Sequence, residues 1–214
     1  MAEGSAATPA LLCATAALSF LAIAAAVAML PETAVIDGHV AMWLHMRATP
    51  RLTDVMVAVS FLGAPTTLTV VAVAASLVLL YRRNYVAAAT LSIVVLGGNF
   101  LNFLLKHLIE RGRPVFEDPL FSLPTYSFPS GHAMASTVFY GLLAIAASLS
   151  ATRRYAARAA IVAATLMVAL VCFSRVYLGL HYVSDVAGGI AEGIAWLALS
   201  VAVLHHLRHR NAGR

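Results

Sequence analysis

Six apolar runs, at roughly 9–30, 64–81, 85–106, 132–150, 156–174 and 183–205, decide what this chain can fold into. A helical crossing of a hydrocarbon core about 30 Å thick takes roughly 20 predominantly apolar residues, and these runs have that length. Inside lipid every backbone N–H and C=O must find a partner within the chain, which leaves only helices and closed barrels. The runs are continuous rather than alternating with period two, so they read as helices. The expected fold is an all-α polytopic membrane protein, a six-transmembrane-helix bundle in one domain over residues 1–214. Composition agrees, with 61% hydrophobic and 11% charged residues, against roughly a quarter charged in soluble domains. The net charge of +5 is scattered among the apolar runs. A nucleic-acid partner needs a gathered basic face, so none is expected, and the bilayer is the surrounding partner.

The connecting segments refine this picture. Ala-x-Ala patterns before Pro31 give the first run some likeness to a signal peptide, but its only preceding charge is Glu3 rather than Lys or Arg. It is therefore expected to stay as a first membrane helix. The segment from Glu32 to Gly63 is too long for a tight connection. Within it Ile36, Val40, Trp43, Leu44 and Arg47 fall near one helical face, which suits either a short interfacial helix anchored by Trp43 or a loop packed on the bundle. Arg82 and Arg83, then Arg153, Arg154 and Arg158, then Arg208, Arg210 and Arg214 follow alternate runs and so share one side. Under the positive-inside rule that side is cytoplasmic, as are both termini, in the cell's inner (plasma) membrane. The opposite side carries Arg47, Arg51, Lys106, Arg111, Arg113 and Arg175.

On that opposite, periplasmic or extracellular side three polar groups sit at the ends of runs. Lys106 and Arg113, followed by Pro114, are seven apart, close to two helical turns, and would share a face if the helix continued that far. Lys106 could equally snorkel from a helix end while Arg113 pairs with lipid headgroups. Pro129-Ser130-Gly131-His132 stands directly before the fourth run. A helix beginning there offers free N–H groups and the positive end of its dipole to an anion, with Gly131 permitting close approach, although Ser130 could also be a plain N-cap. Finally, His181 and Asp185 are four apart in the stretch from Ser174 to Asp185. There the carboxylate can hold one imidazole nitrogen and leave the other as a nucleophilic lone pair, or the two can form a simple helix pair.

Together and in this order, the three groups resemble the signatures of the type 2 phosphatidic acid phosphatase (PAP2) superfamily, K-x6-R-P, P-S-G-H and S-R-x5-H-x3-D. The sequence supplies Lys106 with Arg113-Pro114, Pro129 to His132, and Ser174-Arg175 with His181 and Asp185, without departure at any defined position. The resemblance implies a lipid phosphatase in which His181 attacks phosphorus, Asp185 orients it and His132 protonates the departing oxygen. Lys106, Arg113 and Arg175, with Ser130 and the N–H groups near Gly131, would hold the phosphoryl oxygens. Cations and aligned N–H groups suffice to stabilise such a transition state.

No cofactor or metal is expected, because Glu110, Glu117 and Asp118 do not form a recognisable ligand set. The implied substrate partner is a lipid phosphate, with undecaprenyl diphosphate first and phosphatidylglycerophosphate or phosphatidate as alternatives; oligomeric state is not legible. Soluble vanadium haloperoxidases share the same motifs, but the apolar runs argue against a soluble oxidase. A lipid-phosphate transporter would not need His181, Asp185 and His132 intact. One residue stands outside the motifs. Glu192 lies deep in the sixth run, seven after Asp185, where an ionisable group must find a polar partner in the bundle or a watery part of the cavity. Asn99 and Asn102 are the candidate partners.

Overall fold

The structure, a computed structural model, describes residues 3–121 and 123–212, with side chains from 8 to 207. Its order is α1 (Glu3–Met29), α2 (Pro31–His45), α3 (Pro50–Leu62), α4 (Pro65–Tyr81), α5 (Tyr85–Ile109), α6 (Gly131–Ser150), α7 (Arg154–Tyr177) and α8 (Val183–Ala212), with no strand among the described residues. Pro31, Pro50 and Pro65 each open a helix, where the missing N–H has no intrahelical partner to lose. The Asn84 side chain caps α5 by accepting from Ala87 N at 3.2 Å. At the other end Glu110 takes a left-handed conformation, φ 52°, and stops the helix.

Five helices are long and apolar enough to cross a membrane: Thr8–Met29 of α1, α5, α6, α7 and Val183–Leu207 of α8. The run at 64–81 forms α4, which reaches that standard only together with α3, joined to it at a 40° bend. The six expected crossings therefore become five plus a bent pair. The Glu32–Gly63 segment likewise holds two helices rather than one short helix or a loop. Its expected single face also divides. Leu44 and Val40 pack into a core cluster with Ala133, Cys172, Val176 and Val186, while Trp43 stays 52% exposed with the Arg47 guanidinium 4.2 Å over its ring. Apolar residues on both faces are what a helix lying between protein and interface requires.

Helix α6 is the axis of the bundle. Its first three turns are buried almost completely, and α4, α5, α7 and α8 all pack on it, while α1 lies along α8. Small residues permit the closest approach, as is usual where lipid offers no hydrophobic drive to association. A Cβ on Gly189 of α8 would stand 2.5 Å from the Ser130 carbonyl oxygen at the start of α6. Several polar side chains pair inside the bundle: Trp196 donates to Val94 O at 2.8 Å, Asn99 to Thr69 Oγ1 at 2.9 Å, and Ser92 to Ser76 Oγ at 3.0 Å.

The chain alternates direction from α5 to α8, so the end of α5, the start of α6, the end of α7 and the start of α8 meet at one end. Arg82, Arg83, Arg153, Arg154 and Arg158 occupy the other. The side chains of Arg208 and Arg210, and all of Arg214, lie outside the described residues.

The Gly189 contact yields the first prediction. Gly189→Ala forces a methyl group against backbone and is expected to cost about 1–3 kcal/mol, the usual range for overpacking. Gly38→Ala, whose Cβ meets nothing within 4 Å, is expected to be neutral or stabilising. Unfolding of the two purified variants in detergent checks the contrast; equal stability of both would contradict the close approach of α8 to α6.

Candidate active site

The segment after α5 is irregular because the αL residue Glu110 turns it back over the bundle. Arg113 is thus not carried on a continuation of α5, and its spacing from Lys106 does not place the two on one helical face. The loop brings it in instead. Its Nε donates to Thr125 O at 2.7 Å and its Nη2 to Thr125 Oγ1 at 2.8 Å. Its Nη1 donates to Leu180 O and stands 3.3 Å from His181 Nε2. Lys106, in the last turn of α5, donates to Tyr126 O at 2.9 Å and Ser127 O at 3.3 Å. In this state it ties down the loop that leads into Ser130.

Ser130 precedes α6 with extended backbone, and its N–H donates to Asp185 O at 2.9 Å. Its buried Oγ has no partner, and neither has Nε of Arg175. Arg175, 4% exposed near the end of α7, donates through Nη1 to Ser60 Oγ of α3 at 2.6 Å. Two unpartnered donors beside the free N–H groups of a helix start are unsatisfied groups that an anion would satisfy. Gly131 is held from below: a Cβ there would stand 3.0 Å from Asn102 Oδ1. Asn102 in turn donates to Glu192 Oε2 at 2.7 Å. Glu192 thus has the expected partner in Asn102, whereas Asn99 is engaged with Thr69.

His181 stands just before α8 and is 2% exposed. Its Nδ1 is 3.5 Å from Asp185 Oδ2 and its Nε2 turns toward Arg113. Burial pushes the imidazole down to about 3; Asp185 partly opposes this, and the nearby Arg113 and Arg175 cations reinforce it. The ring is therefore neutral across the physiological range. His132, in the first turn of α6, lies within electrostatic range of Arg175, His181, Arg113 and Lys106. The structure so gathers all eight candidates, Lys106, Arg113, Ser130, Gly131, His132, Arg175, His181 and Asp185, at one end of the bundle.

Asp185 is the most heavily bonded of them. Its Oδ1 accepts from Arg111 Nη1 at 2.6 Å, while its Oδ2 accepts from Ser127 Oγ and from Tyr182 N at 2.8 Å. The bond to Tyr182 N is the back-reaching half of a capping box, an acid in the first turn serving the N–H three residues earlier. Arg111 also donates to Asp37 Oδ2 at 2.8 Å and to Ser184 Oγ at 2.7 Å. Burial disfavours its charge, but Asp185 and Asp37 more than offset this, and its pKa is raised. Sequence reasoning missed Arg111, Asp37, Ser127, Ser184 and Ser60. Arg111 was visible as the first arginine of RGRP; nothing in local spacing pointed to the others. Among the described residues no three His, Cys, Asp or Glu side chains form a set that could hold a metal ion.

Helices crossing the bilayer with this array at one end define a polytopic membrane protein, and its relatives are consistent. Residues 85–209 match the PAP2 superfamily. Phosphatidylglycerophosphatase B of Bacillus subtilis (strain 168) is 36% identical over 149 residues, 68% of this chain and 71% of that protein. Lipid A 1-phosphatase of Rhizobium etli is 33% identical over 131 residues, 57% of this chain but only 51% of that protein. The crystal structure of the first transmembrane PAP2 type phosphatidylglycerolphosphate phosphatase from Bacillus subtilis superposes with a TM-score of 0.79 at 30% identity, over 91% of this chain and 96% of that one. The chain belongs to the PAP2 superfamily. It is a membrane lipid phosphatase, a hydrolase of phosphoric esters.

The buried imidazole supplies a pH prediction. Its folded pKa lies below its unfolded value near 6.5, so between pH of about 3 and 6.5 only the unfolded chain binds this proton. Stability is then undiminished above pH 6.5 and falls as pH drops below it. In ¹⁵N NMR of histidine-labelled protein, the signal assigned through His181→Gln is expected not to titrate between pH 5 and 8. A midpoint near 6.5 would contradict the buried, neutral ring.

Proposed function

We propose that this protein, as one domain over residues 1–214, is a metal-independent phosphatase acting on phosphatidylglycerophosphate at the outer face of the inner membrane. The observation that carries the reading is His181, a buried imidazole with Asp185 behind Nδ1 and Arg113 in front of Nε2. The 36% identity with Phosphatidylglycerophosphatase B favours this substrate, and it displaces undecaprenyl diphosphate from first place. Phosphatidate remains an alternative.

In the proposed reaction His181 Nε2 attacks phosphorus while the lipid P–O bond breaks. His132 gives its proton to the departing lipid oxygen, and Asp185 stabilises the charge that develops on the ring. Water then attacks the phosphohistidine, the P–N bond breaks, and the water proton returns to His132. Charge on the equatorial oxygens is met by Arg113, Arg175, Lys106, Ser130 Oγ and the first N–H groups of α6. Lys106 reaches them by releasing the carbonyls of Tyr126 and Ser127. The motifs lie at the end of apolar helices, so a headgroup can reach them while the acyl chains stay in the bilayer.

Phosphate release by the detergent-purified protein from phosphatidylglycerophosphate, phosphatidate and undecaprenyl diphosphate, in EDTA and with or without orthovanadate, tests this directly. Highest kcat/KM on phosphatidylglycerophosphate, insensitivity to EDTA, inhibition by vanadate and loss of all turnover in His181→Ala are expected. Activity abolished by EDTA and restored by magnesium would overturn the mechanism, and preference for the diphosphate would overturn the substrate assignment.

Sidedness rests on the arginines of the opposite end, Arg82, Arg83, Arg153, Arg154 and Arg158. A cysteine placed at Glu117 is expected to react with an impermeant maleimide in intact cells, and one at Arg154 only after lysis. The reverse pattern would move the site to the cytoplasm.

A further inference from the structure

Arg113 faces the His181 ring, but Arg111 lies behind it. Both of its terminal nitrogens are committed, Nη1 to Asp185 Oδ1 at 2.6 Å and Nη2 to Asp37 Oδ2 at 2.8 Å, and its guanidinium stacks 4.4 Å from the Tyr182 ring centre. Asp37, on the inner face of α2, is 3% exposed. It also accepts from Ser184 N at 3.1 Å and from Ser184 Oγ. Two carboxylates from helices far apart in the chain are thus joined through one rigid fork.

This arrangement matters for the chemistry because of its charge. A phosphohistidine intermediate puts positive charge on the ring beside Asp185. Arg111 fixes Asp185 in place, yet its cation cancels the negative charge that the ring needs. A second carboxylate on the far side of the same guanidinium returns a net negative charge to the trio. It also locks the planar fork, which a single carboxylate would leave free to swing. We infer that Asp37 is a positioning residue of the phosphatase reaction, acting through Arg111 to hold Asp185 and to restore the negative charge behind His181.

The inference rests on the reading of His181 and Asp185 as nucleophile and orienting partner. It makes the interfacial helix α2 part of the catalytic apparatus. A purely structural tie between α2 and α8 would affect stability and leave turnover of the folded enzyme alone.

The test is a set of purified full-length variants, each checked for folding by its thermal midpoint and size-exclusion profile. Turnover is measured on phosphatidylglycerophosphate, or on whichever lipid phosphate the wild type hydrolyses best. Asp37→Asn keeps the acceptor oxygen and loses the charge; its kcat is expected to fall roughly 10- to 100-fold, the range for partners that orient a reactive group from behind, with KM unchanged because Asp37 does not touch substrate. Asp37→Glu, which keeps the charge, is expected to lose less. In an Arg111→Met background Asp37→Asn is expected to add almost nothing, since the route from Asp37 to Asp185 is already cut. Should Asp37→Asn not be recovered folded, Arg111→Lys replaces it: a point charge cannot bridge both carboxylates, and kcat must fall at constant KM. Wild-type kcat in folded Asp37→Asn or in Arg111→Lys, or a loss that adds fully to that of Arg111→Met, overturns the inference. Asp185→Asn separates this from failure of the underlying reading. Loss of turnover in Asp185→Asn with none in Asp37→Asn removes only the role of Asp37, whereas full turnover in Asp185→Asn removes both.

Discussion

The carboxylate of Asp185 is the point on which the rest of this molecule's polar end depends. It carries no exposed surface, and a charge placed there is tolerable only if donors surround it. Those donors come from separate segments: Arg111 and Ser127 from the loop between α5 and α6, and Tyr182 N from the start of its own helix, while Asp37 of α2 accepts from Arg111 on its far side. Its backbone oxygen takes the Ser130 N–H and so fixes where α6 begins. Removing this one carboxylate would strip the Ser127 hydroxyl and the Tyr182 N–H of their acceptor and leave Arg111 with only Asp37 and Ser184. The same bonds that satisfy Asp185 therefore assemble the segments from which His181, Ser130 and Arg113 project.

The bilayer supplies the complementary constraint. Helices that satisfy their own backbone can cross lipid, but they gain little from hiding apolar side chains from one another there. Close contact has to come from small residues, such as Gly189 against the Ser130 carbonyl, and from polar pairs, such as Asn102 with Glu192. Both lie directly beneath the Pro129–His132 turn, so the packing that holds α5, α6 and α8 together also sets the floor of the candidate phosphate cradle. Above that floor the unpartnered Ser130 Oγ and Arg175 Nε are groups the fold leaves for a ligand.

Helix α2 joins these two halves. Its outer face exposes Trp43 with Arg47 stacked on it, and its inner face carries Leu44 into the core and Asp37 to Arg111. A helix with an exposed aromatic face is thereby connected by two ion pairs to the carboxylate behind His181. This gives the segment between the first two membrane runs a chemical reason to exist beyond linking them.

Apolar runs and motif spacings were enough to read the solvent, the helical class and the small set of groups that could handle phosphate. Each of these is local: apolar length decides crossing, proline and glycine decide where helices start, and the Pro129–His132 and His181–Asp185 spacings are read within one turn. The reading of Glu192 also rested on a local rule, that a carboxylate in an apolar run needs a polar partner. The remaining features depend on how the helices dock. The Lys106–Arg113 spacing marked two useful cations for a reason that does not hold, since α5 ends at Ile109 and a loop delivers Arg113. The run at 64–81 could not by itself reveal that it reaches the length of a crossing only when joined to α3 across a 40° bend. Asp37 carried no signal at all, because its partner Arg111 is 74 residues away and a lone acidic residue in a connecting segment looks like a solvated one. Charge pairing across such distances is set by how helices dock, and the docking depends on the shapes of all the side chains at once. No window of sequence contains that information.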